Sequence, residues 1–200
     1  MNIELLSALG VFALVSSITP GPNNLMLMAS GANFGFRRTI PHMLGIGIGF
    51  VIMVVLVGIG LAQIFAAYPL SYTVLRVFSI LYLLYLAWKI ATAAPPEAGE
   101  ASGRPFTFLQ AAAFQWVNPK AWAMALTAVT VYAPDQSLQA ILLIAAVFGL
   151  INLPSVSCWT VLGQQIQPLL ATGRRMQVFN FLMAGLLVAT IFQASLLPAT

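Results

Sequence analysis

Two short segments of the chain combine proline with side-chain amides inside otherwise apolar sequence. They are Thr19-Pro20-Gly21-Pro22-Asn23-Asn24 and Asn118-Pro119-Lys120. Proline lacks an N–H and clashes with the preceding helical turn, so each segment is expected to interrupt a helix and free backbone carbonyls and amides. Lipid cannot satisfy those groups, so protein, water or a polar substrate must do so. The segments therefore predict a site that binds a small polar molecule, with a simple structural kink as the alternative.

Lys120 is the charged group of the second segment. An ammonium deep in an apolar span is costly unless it faces water or a partner. Two interpretations remain open: a direct role, such as attracting a substrate carboxylate, or snorkelling to the cytoplasmic interface from a span that begins near Phe108. Arg76 leaves a similar choice, between a substrate carboxylate and a lipid headgroup or structural role.

Three further polar residues extend the candidate site. Asn152 and Trp159 are seven residues apart, which is two helical turns, so they share one face of a helix and point into the protein. For Asn152, substrate contact and hydrogen bonding between helices remain equal alternatives. His42 is a candidate proton carrier, with an interfacial histidine as the alternative. The candidate substrate-binding residues are Pro20, Gly21, Pro22, Asn23, Asn24, Asn118, Pro119, Lys120, Asn152 and Trp159.

Residue types for other chemistry are scarce. An intramembrane enzyme would need a nucleophile with a base, or paired carboxylates, and Ser155 and Ser157 have no histidine or acid nearby in sequence. One histidine, one cysteine and no carboxylate in the apolar runs make a poor metal-ligand set. No enzyme activity, metal or cofactor is therefore expected. A metal-ion exporter and a non-transport membrane assembly protein are the alternatives to a transporter of small molecules.

The elements that position these residues must be membrane helices. The chain has 200 residues, of which 60% are hydrophobic and 6% charged, whereas soluble domains carry roughly a quarter charged residues. A bilayer core of roughly 30 Å needs about 20 helical residues. The sequence predicts an all-α integral membrane protein with six transmembrane helices in one transporter domain over residues 1–200. The first span lies between Glu4 and Arg37, and the other apolar runs are 43–65, 70–90, 106–132, 138–163 and 178–197.

Basic residues cluster in the odd-numbered connections between the spans. By the positive-inside rule, connections one, three and five are cytoplasmic and both termini lie outside. The same rule explains the net charge of +4, so membrane lipid is expected as a partner and nucleic acid is not. The basic residues concerned are Arg37, Arg38, Lys89, Arg104, Arg174 and Arg175.

The chain also predicts an internal repeat. A linker over about 93–104, rich in small residues and proline, separates halves of about 1–92 and 105–200. Each half has three spans and opens with an interrupted helix. Because three is odd, equivalent helices must cross the membrane in opposite directions, which is the plan of an inverted-repeat transporter.

Gly45, Gly47 and Gly49 form a glycine-rich stretch in the second apolar run. No strand precedes them, so a nucleotide-binding loop is not predicted. Gly45 and Gly49 instead give a small surface for close helix packing. Its partner is a neighbouring helix or a second subunit, which leaves a homodimer open.

Taken together, Thr19-Pro20-Gly21-Pro22-Asn23 and Asn118-Pro119-Lys120-Ala121, about one hundred residues later, resemble the LysE/RhtB family of bacterial amino-acid exporters. The resemblance runs the full length of the chain. Gly35-Phe36-Arg37 and Leu86-Ala87-Trp88-Lys89 are supporting marks. It implies a secondary-active exporter of amino acids or related metabolites in the bacterial inner membrane, driven by the proton gradient.

The family also suggests a substrate class and a mechanism. Asn23-Asn24 and the run around Trp88 are most similar to the subgroup that exports cysteine and O-acetylserine, with small neutral amino acids as the wider class. Many members have Asp where this chain has Asn23, so a carboxylate proton carrier is absent here. The implied mechanism has the breaks at Pro20 and Pro119 meeting near the midplane, where their amides and carbonyls bind the carboxylate and ammonium of a zwitterion.

Overall fold

The computed structural model describes residues 2–61, 63, 67–93, 104–133, 137–170 and 173–195. Regular structure in these ranges is helical throughout, which confirms the predicted all-α class. Most of the predicted linker lies outside the described residues. A π-helical turn, Val57–Leu61, follows α2, and 3-10 turns, Gln115–Val117 and Gln167–Leu170, follow α4 and α6. The helices are α1 (Ile3–Ile18), α2 (Pro22–Leu56), α3 (Pro69–Ala91), α4 (Phe108–Phe114), α5 (Pro119–Tyr132), α6 (Leu138–Ile166) and α7 (Gly173–Ser195).

Three helical segments of the described chain are long and apolar enough to cross a membrane: Pro22–Leu61, Thr73–Ala91 and Leu138–Leu170. The surface they present is apolar as well. On α3, for example, Phe78 and Leu81 are exposed by 63% and 59%. Such a surface suits lipid contact, because water would not favour exposed apolar patches of this extent. The count of six spans remains a prediction.

Gly35 divides α2 into two arms, residues 22–34 and 36–56. Its φ of 76° and ψ of 170° lie outside the helical region. The hydroxyl oxygens of Ser30 and Thr39 are 2.9 Å apart, although nine residues of straight helix would separate the positions by about 13 Å. The chain therefore turns sharply at Gly35, where the sequence predicts the end of the first span.

Close backbone contact joins the first arm of α2 to α6. A Cβ atom at Gly31 would collide with the carbonyl oxygen of Thr160, and one at Gly163 would collide with the carbonyl oxygen of Met28. Glycine at both positions lets the two backbones touch, as small residues do at membrane helix crossings. This contact fixes α6, which carries Asn152, against the first helix break.

The glycine-rich surface of the second arm packs inside the same chain. A Cβ at Gly45 would collide with the carbonyl oxygen of Phe108, and one at Gly49 would lie 2.7 Å from Cα of Ala112. Both neighbours belong to α4, so this surface meets a neighbouring helix and gives no support for a dimer. A homodimer stays a prediction that rests on no described contact.

Candidate substrate site between two helix breaks

The two proline-containing breaks lie side by side in the structure. α1 ends just before the first break and α2 resumes at Pro22, whereas α5 begins at Pro119 after the second break. Lys120 Nζ reaches across and donates to the carbonyl oxygens of Thr19 at 2.6 Å and Pro20 at 3.3 Å. Segments about one hundred residues apart in the chain therefore form one site.

Side chains from other elements satisfy the carbonyl groups at the end of α1. A helix leaves its last four carbonyls without helical partners. Asn24 Nδ2 donates to the carbonyls of Ser17 and Thr19, both at 2.8 Å. Trp159 Nε1 donates to the carbonyl of Ile18 at 3.0 Å. Asn24 and Trp159, both candidate residues from the sequence, thus stabilise the non-helical backbone of the first break.

The Lys120 ammonium is held by dipoles alone. Besides the two carbonyls, it donates to Thr19 Oγ1 at 3.0 Å. Glu4 is the only acidic residue in the described ranges, and it lies at the other end of α1, about 22 Å away along the helix. Carbonyls at a helix C-terminus carry partial negative charge and favour a cation. The side chain therefore points into the first break, and the choice between a direct role and snorkelling remains a prediction.

Gly21 makes room for this arrangement. A Cβ there would lie 2.6 Å from Cδ of Lys120. The backbone of Gly21 is extended, with φ of −177°, so a larger residue would meet only the flexible end of the Lys120 side chain and not the backbone. Any larger residue would push the lysine stem away from the carbonyls.

An amide pair bridges the two breaks. Asn23 Nδ2 donates to Gln115 Oε1 at 2.9 Å, and Gln115 Nε2 donates back to Asn23 Oδ1 at 3.2 Å. Gln115 is fully buried and was not among the residues predicted from the sequence. The sequence feature that could have indicated Gln115 is its polar side chain within an apolar run, three positions before Asn118. Asn118 itself caps α5, because its Oδ1 accepts from the backbone N–H of Lys120 at 3.1 Å.

A small cavity lies between the breaks. It offers 20 Å³ to the centres of water molecules, which is room for about one or two waters. This volume is smaller than an amino acid. Six predicted residues line the cavity: Gly21, Asn23, Asn24, Asn118, Lys120 and Asn152; seven others complete the wall: Ser16, Ser17, Phe50, Gln115, Ala121, Met124 and Val156.

Asn152 lines this cavity and has a buried side-chain acceptor without a partner among the described residues. Its side chain is buried, and its Nδ2 donates to Ser17 Oγ at 3.3 Å. Its Oδ1 has no hydrogen-bond partner in the described part of the chain. Leaving a buried acceptor unpaired costs about 1–3 kcal/mol. Such a cost is relieved when a donor, such as a ligand ammonium, enters the cavity.

The start of α2 offers the opposite polarity. Pro22 occupies its first turn, and no side chain caps it by a hydrogen bond. The backbone N–H groups at the start of a helix and the helix dipole together favour an anion. Asn23 and Asn24, which line the cavity, belong to this first turn. The site thus combines a place for an anion with acceptors for a cation.

His42 and Arg76 lie away from the cavity lining, and Trp159 is also outside it although it contacts the end of α1. His42 is only 2% exposed, so its ring is enclosed by protein. Its ring meets Phe106 at 5.2 Å, and neither nitrogen has a hydrogen-bond partner among the described residues. Arg76 is exposed on α3. The proton-carrier role of His42 and the substrate role of Arg76 remain predictions without contact to this site.

Comparison with known proteins agrees with these features. The family model described as LysE type translocator matches residues 14–195. A protein of Escherichia coli (strain K12) named "Cysteine/O-acetylserine efflux protein" is 31% identical over 194 residues, which cover 94% of this chain and 96% of the relative. A protein of Shigella sonnei (strain Ss046) with the same name gives the same values. No solved structure matches the chain significantly.

Proposed function

Since the chain belongs to the LysE family of translocators, we propose that it is a secondary-active exporter that carries small amino acids out of the cytoplasm. Family membership follows from a match that covers nearly the whole chain, and it makes the protein a membrane transporter and not an enzyme. The driving force in this proposal is the proton gradient across the bacterial inner membrane.

Cysteine, O-acetylserine or another small neutral amino acid is the proposed substrate. The names of the E. coli and Shigella relatives mention cysteine and O-acetylserine. These molecules share an ammonium, a carboxylate and a short side chain. The apolar part of the cavity wall, formed by Phe50, Ala121, Met124 and Val156, suits a short side chain and offers no charged partner for a cationic or anionic one.

The pairing of an unpaired acceptor with an uncapped helix start carries this proposal. The substrate carboxylate would accept from the N–H groups at the start of α2 and from the amides of Asn23 and Asn118. The substrate ammonium would donate to Asn152 Oδ1, which lacks a partner among the described residues, and to the carbonyls of Thr19 and Pro20. Discontinuous helices bind substrates in this way in other transporters.

Alternating access is proposed to come from one half rocking on the other. The cavity is smaller than an amino acid, so such a movement would also enlarge it for a substrate. The helix packing supports two related halves: α1 packs against α6, α4 packs against α2, and α3 packs against α7. If the two halves are related, α1 corresponds to α4, the second arm of α2 to α6, and α3 to α7. The contact of α1 with α6 is then equivalent to the contact of α4 with α2, and the contact of α3 with α7 is equivalent to itself. Each half also has its break immediately before a helix that starts with proline, at Pro22 and Pro119.

The proposed orientation places the odd-numbered connections in the cytoplasm. The backbone N–H of Phe36, next to Arg37, donates to Gln164 Oε1 near the end of α6. The Lys89 ammonium lies 5.5 Å from the centre of the Phe106 ring. Asn180 Nδ2 on α7 donates to the carbonyl oxygen of Ala93, just after α3. These contacts support a common end for the basic connections, and by the positive-inside rule that end is cytoplasmic.

Transport by inside-out vesicles tests the proposal. Vesicles with and without the protein would receive a panel of labelled amino acids, including reduced cysteine and O-acetylserine, with a proton gradient imposed or collapsed. We expect gradient-dependent uptake of a small neutral member of the panel into vesicles that contain the protein. If no member moves although the protein is inserted, the proposal is wrong.

A further inference from the structure

We propose that Lys120 carries the coupled proton, because its ammonium occupies the carbonyl oxygens that the ammonium of an amino acid would need. This inference rests on the proposed export function and deepens it. The carbonyls in question belong to Thr19 and Pro20, and Lys120 Nζ donates to both of them, at 2.6 Å and 3.3 Å. Thr19 and Pro20 are exposed and lie beside the cavity lining, which Gly21 and Lys120 form in part. A proton on Lys120 and a substrate ammonium on these two carbonyls therefore exclude each other.

The acceptors around Lys120 form a site for one cation. The Thr19 hydroxyl donates to the carbonyl of Ser16 at 3.1 Å, so its oxygen lone pairs are free to accept from Lys120 at 3.0 Å. Unwound carbonyls and helix C-termini coordinate the coupling ion in many transporters with broken helices. In this chain the tethered ammonium of Lys120 fills that position.

Among the described residues that line the cavity beside Lys120, no other side chain would exchange a proton. The elements around it present hydroxyl and amide groups: Ser17 from α1, Asn23 from α2, Gln115 from the turn after α4, and Asn152 from α6. Lys120 is the only titratable side chain among the described residues that line the cavity. A second cation would therefore act on Lys120 alone.

The exchange step follows from charge and geometry. When the substrate ammonium takes the carbonyls of Thr19 and Pro20, the Lys120 ammonium has lost its acceptors and faces a second positive charge. A charged group in that situation favours its neutral form. The Lys120 N–H bond breaks, the amine keeps the electron pair, and the proton passes to water on the cytoplasmic side. After the substrate leaves on the outer side, the amine takes a proton from water there and returns to the carbonyls.

One proton then enters for each substrate that leaves, which is antiport. In the opposite arrangement Lys120 binds the substrate carboxylate, so protonation of Lys120 would strengthen substrate binding. The two arrangements therefore differ in the sign of the pH dependence of substrate affinity, which is a measurable property of the purified protein.

Binding of labelled L-cysteine, kept reduced, to the purified full-length protein tests the inference. The wild-type affinity is expected to fall by about tenfold for each unit that pH decreases between about pH 7.5 and about pH 5.5, because one proton competes with one substrate. Lys120→Gln lacks the competing charge, so its affinity should vary by less than about twofold over that range. Lys120→Arg keeps a permanent cation, so weak binding at every pH is expected.

Lys89→Gln is the matched control, since Lys89 lies against the Phe106 ring and not in the cavity. It should keep the wild-type pH dependence. Thr19→Val supplies a second variant that keeps the lysine and removes one of its three acceptors, and we expect a several-fold higher affinity at acidic pH because the competing ammonium is held less well.

Three results would overturn the inference. Wild-type binding that is independent of pH would remove Lys120 from coupling and leave the export proposal intact. Affinity that rises as pH falls, together with its loss in Lys120→Gln, would place the lysine on the substrate carboxylate. A wild-type protein that binds none of the amino acids in the panel would contradict the export proposal as well.

Discussion

Individual polar side chains decide whether the helix breaks recognise a substrate or only bend the chain. Asn24 and Trp159 donate to carbonyls of α1 and so maintain the shape of the break. Asn152 differs from both, because its Oδ1 is buried and has no partner within the described ranges. The hydrogen bonds of the first two residues fit a structural role, and the unpaired oxygen of the third fits the substrate contact proposed above.

Asn152→Leu tests this assignment. It removes the acceptor proposed for the substrate ammonium, and a hydrogen bond to a charged group is worth about 1.5–3 kcal/mol, so affinity should fall by about 10- to 100-fold. The stability of the protein should change little, since removal of an unpaired buried acceptor offsets the loss of the hydrogen bond from Nδ2 to Ser17 Oγ. Equilibrium binding and thermal unfolding in detergent measure the two effects. Ser157→Ala, on the same helix but outside the cavity lining, is the control; equal binding by both variants would exclude Asn152 from the site.

Among the helices, α2 shows how one residue sets the course of a long element. Gly35 has φ of 76° and ψ of 170°, a region that is occupied almost solely by glycine. A Cβ at this position would meet nothing within 4 Å, so any penalty comes from the backbone and not from collision. The turn brings Arg37 and Phe36 to the end of α6 and so defines the first connection.

Gly35→Ala is expected to lower the free energy of unfolding by about 1–3 kcal/mol, as strained backbone positions do. Gly10→Ala is a matched control, because Gly10 lies within α1 and a Cβ there also meets nothing within 4 Å. Since alanine favours the helix over glycine, the control should be neutral or stabilising by up to about 1 kcal/mol. Thermal melts in detergent compare them, and an equal effect of both changes would argue against the turn.

The crossing of α2 and α6 is equally sensitive to one methyl group. Gly163→Ala would place a Cβ against the carbonyl oxygen of Met28 and separate the backbones that hold Asn152 near the break. We expect loss of stability by about 1–3 kcal/mol through overpacking, together with reduced transport. Gly185→Ala on α7, where a Cβ meets nothing within 4 Å, should retain both. Unfolding and vesicle uptake are the measurements; a variant with normal uptake would show that the crossing tolerates separation.

For the whole molecule, the testable property is its orientation in the membrane. Cys158 is the single cysteine, so a Cys158→Ser background is free of thiols. In that background, Asn2→Cys should react with an impermeant thiol reagent in intact cells, whereas Arg174→Cys should react only in inside-out vesicles. Both positions are exposed. Labelling with the reverse sidedness would invert the proposed direction of the basic connections.

The sequence by itself determined the membrane class, the all-helical fold and the positions of both breaks. These features follow from local properties: the length of apolar runs, and the missing N–H and ring of Pro20, Pro22 and Pro119. The sequence also identified six of the residues that line the cavity, because amides and a lysine are conspicuous in apolar runs. Family membership followed from the same two motifs.

Only the tertiary structure decided what those residues touch. The pairing of Asn23 with Gln115 and the reach of Lys120 to Thr19 join positions 92 and 101 residues apart. The glycine surface at Gly45 meets α4, and His42 is buried away from the cavity lining. No local pattern contains this information, because it depends on which helix faces meet, and close packing across distant segments determines that choice.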